Sequence, residues 1–323
     1  MQNRSRLAGI QYLVMMIVWI MAGLLIRIIG LDRFLNYYSA HSLVELELLV
    51  PAVVLLVMDR FEVMRGTRVK IIGVKVILWT ILLAVILIPV MSFLNLASQL
   101  LVPNNVVVQI EHYTMLTGSA VWDKPLLLNL FYMAVLPAVV EEFLFRGVLF
   151  QGFRSCGLFK TAVITSLMFA LAHGNLNQFL YAFVVGLFMA YLVEASGSVY
   201  AAMLAHMCLN TSTVVMVYLE RVLPENITRA IVEAENTSVK DLSPVYWIVC
   251  GAIAIACFIL AVIVVRRIAK TAERDLIYRE ARKGHDRLKG KEGHTFSVGL
   301  LIGLLIPTVY IAFSLLGELI RAS

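Results

Sequence analysis

The chain consists of long apolar runs parted by short polar stretches. Nine runs stand out, at 8–30, 42–58, 76–102, 125–150, 161–175, 178–195, 199–219, 245–265 and 297–320. A bilayer core is about 30 Å thick and a helix rises about 1.5 Å per residue, so an apolar run of roughly 20 residues is a candidate membrane span. The pattern predicts an all-α fold: a polytopic transmembrane helix bundle of about nine spans. The fifth run is short. Ser166 to Ala172 leads straight into His173-Gly174-Asn175, and this helix is expected to end inside the protein, where buried polar groups make such an end tolerable.

Composition agrees with lipid surroundings. The 323 residues are 61% hydrophobic and 15% charged, with a mean hydropathy of +0.88, against about 45–50% and about 25% in an average globular chain. The longest polar segments, Arg266–His294 and Arg221–Pro244, are too short to enclose a core of their own, so no soluble domain is expected. The segment 103–124 reads as either an outer loop or an interfacial strand-like piece. The first apolar run is too long for a cleavable signal and lacks a small-residue cleavage site, so it is expected to stay as a span.

Charge placement sets an orientation, because Lys and Arg near span ends concentrate on the cytoplasmic side. Arg4 and Arg6 precede the first run, Arg60, Arg65, Arg68, Lys70 and Lys75 follow the second, and Arg154 and Lys160 follow the fourth. Ten more basic residues lie in 266–294. All share one side if the spans alternate, which predicts a cytoplasmic N-terminus. Topology thus accounts for most of the formal net charge of +6. Nucleic acid is not an expected partner, since 266–294 has no aromatic interleaving beyond Tyr278. A helical, charged loop touching anionic lipid headgroups is expected instead. Cys156, Cys208, Cys250 and Cys257 show no metal or redox spacing and read as small apolar residues. Asn226-Ile227-Thr228 and Asn236-Thr237-Ser238 match glycosylation sequons in the predicted outer loop.

Ionisable groups inside spans are costly, and so are functional candidates by default. The fourth span holds Glu141-Glu142-Phe-Leu-Phe-Arg146, the fifth Phe169-Ala-Leu-Ala-His173, and the seventh His206-Met-Cys-Leu-Asn210. Residues four apart share a helix face. Glu142 can therefore pair with Arg146, while Glu141, turned about 100° away, stays free. His206 and Asn210 stack on one face, as do Phe169 and His173. With Arg146 near the end of its span, Glu141 is expected roughly 8–12 Å inward, His206 roughly 12 Å and His173 about 18 Å from their span starts. A glutamate, two histidines and an asparagine at similar depth have the parts of a hydrolytic site: a base for water, a partner that orients it and donors for an oxyanion. Arg27, Glu194 and Glu318 read differently, as single span-end charges with structural roles and no partner pattern.

At these residues the chain resembles the CAAX prenyl protease 2 and lysostaphin-resistance-protein-A-like intramembrane proteases, also called CPBP or Abi. That family's pattern is EExxxR, then FxxxH, then HxxxN or HxxxD. It stands here in order as Glu141-Glu142…Arg146, Phe169…His173 and His206…Asn210. The resemblance covers roughly 125–215. It implies that Glu141 is the catalytic glutamate acting on water with His173, that Glu142 and Arg146 form the supporting pair, and that His206 and Asn210 hold the oxyanion. The chain then divides into N-terminal membrane helices (1–124), a CPBP-like catalytic helical core (125–220) and C-terminal membrane helices with the basic loop 266–294 (221–323).

Metal dependence stays open at this stage. Glu141, His173 and His206 are three possible zinc ligands, and the family is commonly labelled metalloendopeptidase, yet there is no His-Glu-x-x-His helix. No cofactor is certain. The expected activity is hydrolysis of membrane-associated proteins or lipidated peptides near the cytoplasmic face, by a multi-pass protein of a bacterial cell membrane. The alternatives are a non-catalytic immunity or scaffold protein of the same fold, against which the intact catalytic residues argue, and a transporter, which would show matched broken helices in two halves.

Overall fold

Every apolar run forms a helix. The computed structural model describes residues 4–31, 34–58, 68–101, 124–220, 222–227, 238–283 and 296–322. The helices are α1 (Arg4–Ile28), α2 (Tyr37–Met58), α3 (Val74–Leu101), α4 (Leu126–Cys156), α5 (Leu158–Ala172), α6 (Leu176–Ser196), α7 (Val199–Glu220), α8 (Pro244–Thr271), the short α9 (Asp275–Arg282) and α10 (Val298–Ala322). Among the described residues there is no strand. Seven helices, α1, α3, α4, α6, α7, α8 and α10, are long and apolar enough to cross a membrane, so the chain is an all-α, polytopic membrane bundle. The segment 102–123 lies outside the described residues, as do Asn236 and Thr228 of the two sequons and the side chain of Glu318.

Local chemistry sets the helix ends. Ser243 caps α8 by accepting from the Tyr246 amide, with Pro244 in the first turn, where a missing N–H costs nothing. Asn175 caps α6 by accepting from the Asn177 amide. α5 stops at Ala172, and Gly174 turns the chain at a φ of +63°, a conformation that suits a residue with no Cβ. α5 is 15 residues long, shorter than the roughly 20 that a full span needs. α9 places a helix inside the basic loop, as expected for that loop.

Packing forms two main cores that meet at α6. One joins Leu83 and Leu87 of α3, Phe188, Leu192 and Val193 of α6, Ala202 and Leu209 of α7, and Ala261 and Val265 of α8. The other joins Tyr12, Met15 and Met16 of α1 to Leu144, Phe145 and Leu149 of α4 and Met168 and Phe169 of α5. Without a hydrophobic drive between helices in lipid, close backbone approach supplies the dispersion energy. Gly299 and Gly303, one turn apart on α10, allow it. A Cβ on Gly303 would stand 2.9 Å from Tyr12 Cδ1, and one on Gly299 would stand 3.1 Å from Ile10 Cγ1.

The basic stretches converge as the charge pattern predicts. Glu194, near the end of α6, is fully buried and accepts from Arg68 Nη1 at 2.8 Å and Arg154 Nε at 3.0 Å; Arg274 Nη2 stands 3.7 Å away, and its Nε donates to the Glu194 carbonyl at 3.0 Å. The α2–α3, α4–α5, α6–α7 and α8–α9 junctions thus share one end of the bundle. The reading of Glu194 as a charge without partners is corrected: it is the centre of a three-arginine cluster. Its partners come from distant parts of the chain, so no i,i+4 spacing announced them. Arg154→Gln leaves Glu194 with Arg68 and Arg274, so the expected loss is about 1.5–3 kcal/mol, that of one charged hydrogen bond. The check is the unfolding midpoint in detergent; an unchanged midpoint would show that Arg154 contributes nothing.

Candidate active site

α4 carries the acidic pair in an unusual stretch of helix. Two π-helical turns, Phe131–Val135 and Phe143–Leu149, bracket the α-helical Leu136–Glu142, and Pro137 lies in that segment's first turn. π-bulges are rare and frequent at functional sites. α4 also runs on past Arg146 to Cys156. Glu141 therefore lies about 22 Å along the axis from that end, and Arg146 is fully buried.

The predicted pair is formed, and it has a third member. Glu142 Oε1 accepts from Arg146 Nη1 at 2.9 Å and from His206 Nδ1 of α7 at 3.0 Å. Glu142 and Arg146 are both 0% exposed. The guanidinium is held further by Nη2 donating to the Gly186 carbonyl at 3.2 Å and by the Phe169 ring, whose centroid lies 4.4 Å from Cζ. The absence of a side chain at residue 186 makes room for this: a Cβ there would stand 3.2 Å from Arg146 Nη2 and 3.0 Å from Ser166 Cβ. A buried ion pair needs its remaining bonding capacity met, and Gly186 and Phe169 meet part of it.

Glu141 stands apart, as the spacing predicts. Its side chain is 16% exposed, and Oε2 lies 3.9 Å from His206 Nε2, beyond hydrogen-bond range. Oε2 is buried, with no hydrogen-bond partner among the described residues. His206 thus has one ring nitrogen on each glutamate: Nδ1 bonded to Glu142, Nε2 turned toward Glu141.

His173 sits at the end of α5, its Nδ1 2.8 Å from the Phe169 carbonyl. A carbonyl only accepts, so Nδ1 carries the proton, and in the neutral ring Nε2 keeps a free lone pair. The Phe169 ring meets the His173 ring edge-on at 4.8 Å and the His206 ring at 5.9 Å. One aromatic side chain therefore touches Arg146, His173 and His206 together, which is what FxxxH contributes beyond its histidine. Asn210, half-buried one turn after His206 on α7, makes no hydrogen bond with these groups among the described residues.

The geometry brings the three motifs into one buried cluster on α4, α5 and α7. Residues 123–212, the same stretch, match the family described as type II CAAX prenyl endopeptidase Rce1-like. Over this segment the chain is similar to the Rce1-like family. The family is one of CAAX-protease-like membrane peptidases, and the match spans all seven candidate site residues. No curated protein and no solved structure matches the chain.

Two residues outside the Rce1-like segment face the same cluster and are absent from the motif reading. On α2, His41 Nε2 lies 3.8 Å from Glu45 Oε1, and Glu45 is nearly fully buried. Both stand within electrostatic reach of Glu141. The signal was available as a histidine and a glutamate four apart in an apolar run. Zinc was a possibility raised by Glu141, His173 and His206. Among the described residues no three His, Cys, Asp or Glu side chains gather into a group that would hold a metal ion, so this donor set does not fit zinc as arranged.

Proposed function

We propose that the protein is an intramembrane endopeptidase that hydrolyses peptide bonds of membrane-associated proteins or lipidated peptides, with water activated by Glu141 and His173. The observation that carries this reading is the division of labour between adjacent carboxylates. Glu142 is committed to Arg146 and His206, whereas Glu141 keeps a buried oxygen without a partner beside an imidazole.

The roles follow from proton bookkeeping. Glu141 takes a proton from water while the His173 Nε2 lone pair orients that water. The resulting hydroxide attacks the scissile carbonyl carbon. The oxygen of that carbonyl gains charge and is met by His206 Nε2–H and the Asn210 amide, donors one helical turn apart. With Nδ1–H donated to Glu142, a ring that also carries Nε2–H is an imidazolium, and Glu142 is its counter-charge. Collapse of the tetrahedral intermediate returns the proton from Glu141 to the leaving amine. Arg146 and Phe169 position Glu142 and the two imidazoles without touching substrate.

The test compares protein termini in membrane fractions of cells carrying the wild-type chain or Glu141→Gln. Termini present with the wild type and missing with the variant are expected; identical sets would remove the proposal. A second expectation concerns metal. Since no three such side chains gather among the described residues, a strong chelator such as phenanthroline should leave turnover within about twofold, because general acid–base groups alone supply about 10²–10⁴ in rate. Loss of turnover that added zinc restores would overturn the metal-free assignment.

A further inference from the structure

A cavity of about 810 Å³, lined by none of the residues of the acidic cluster, lies between the N-terminal part of α3, the end of α8 and α9. Its lining divides by chemistry. Trp79, Leu82 and Ile86 of α3 face Leu260, Ile263 and Val264 of α8, an apolar wall on helices that cross the bilayer. Arg266, Arg267 and Lys270 from the end of α8, with Arg279, Arg282 and Lys283 from α9, form the rim. Asp275 is the one carboxylate in the lining, and it is taken up by Arg279 through two contacts of 3.0 Å.

α9 fixes this rim in place. Tyr278 and Ala281 are buried, with the Tyr278 ring 6.5 Å from that of Tyr191 on α6. The next faces carry exposed Leu276 and Ile277 and exposed basic side chains. A short helix with apolar and basic faces at the end of a spanning bundle lies at the membrane interface. Its buried side ties the rim to the core, so the basic groups are presented by fixed backbone.

We propose that this cavity binds an anionic phospholipid, its phosphate among the α8 and α9 cations and an acyl chain against the α3–α8 wall. Charge and shape both require the two-part ligand. The six basic side chains face one carboxylate that is already engaged, so a zwitterionic headgroup would leave the excess uncompensated. The apolar half opens from helices surrounded by lipid: Leu82, Leu260 and Ile263 are 41%, 45% and 53% exposed. A soluble anion would leave that half of the cavity without a partner. The volume lies within the usual range for sites that bury most of a ligand, about 300–1,000 Å³. Basic pockets between membrane helices are known lipid-headgroup sites.

The experiment is native mass spectrometry and a thermal-shift titration of the full chain in detergent, with dioleoyl-phosphatidylglycerol, dioleoyl-phosphatidylcholine and glycerol 3-phosphate as separate probes. Phosphatidylglycerol should bind and raise the melting temperature, phosphatidylcholine should bind at least tenfold more weakly, and glycerol 3-phosphate should give no shift. Neutralising Arg267, Lys270 and Arg282 together to Gln should weaken phosphatidylglycerol about a hundredfold, at about fivefold per charge. All three side chains are exposed, so the variant should fold. A second variant, Leu260→Lys, should weaken the lipid while leaving the charged rim intact. Equal affinity for the two lipids would overturn the site. So would wild-type lipid binding by the triple variant, or a glycerol 3-phosphate shift equal to that of phosphatidylglycerol, which would mark a simple anion site.

Discussion

Glu141→Gln should fold normally, melt with the wild type and lose nearly all turnover. The substitution is nearly isosteric, and the carboxylate it removes has no ion-pair partner within hydrogen-bond range: the nearest cation-forming atom, His206 Nε2, is 3.9 Å away. Removing it therefore leaves no buried charge stranded. The amide cannot accept the proton of the attacking water, and general-base catalysis supplies about 10²–10⁴ in rate, so turnover should fall by about that factor. The measurement is turnover and unfolding midpoint of both proteins, purified in the same detergent. Full activity in Glu141→Gln would sink the catalytic assignment and with it the main reason for reading the cluster as an enzyme site.

The neighbouring substitution should fail in the opposite way. Glu142→Gln removes the negative charge shared by Arg146 at 2.9 Å and His206 at 3.0 Å. It leaves a fully buried guanidinium with neutral partners, an amide oxygen, the Gly186 carbonyl and the Phe169 face, in place of its counter-charge. Breaking a buried pair by deleting one partner costs about 3–5 kcal/mol, enough to lower the unfolding midpoint clearly. Activity should fall too, because His206 loses the anchor that turns Nε2 toward Glu141. A double variant, Glu142→Leu with Arg146→Met, separates the two effects. It strands no charge, so it should be more stable than Glu142→Gln and yet stay inactive. A stable, active Glu142→Gln protein would show that the pair is dispensable.

The parts of the site legible in the sequence are those written at helical spacing. Glu142 with Arg146, Phe169 with His173 and His206 with Asn210 are each four apart, and a helix must place each pair on one face. The first two pairs make the contacts that this spacing implies. The difference between Glu141 and Glu142 was readable for the same reason. What periodicity does not encode is contact between helices. The bond from His206 to Glu142 spans 64 positions, and the three arginines around Glu194 are 126, 40 and 80 positions from it. His41 and Glu45 had the spacing but lay outside the motif, in a helix whose approach to α4 is a tertiary fact. The π turns of α4 are also invisible to a pattern that assumes 3.6 residues per turn. For the fold, the nine runs and the early end of α5 were readable from hydropathy alone. The continuation of α4 through polar Gln151, Arg154 and Ser155 was not, because these residues break the apolar run while the helix proceeds.

The α5–α6 hairpin has a consequence for how such a bundle can be counted. α5 leaves the end marked by Arg154, turns at Gly174 and returns in α6, whose Glu194 touches Arg154 again. An excursion that starts and finishes at the same place contributes an even number of crossings, whether two or none. Every helix after Ser196 therefore keeps its sidedness regardless of how far the hairpin penetrates. The turn that delivers His173 to the cluster can shift in depth, or change length in a related chain, without inverting anything downstream. Sidedness and reach are thus separate variables in this architecture, and the histidine rides on the one that is free to vary.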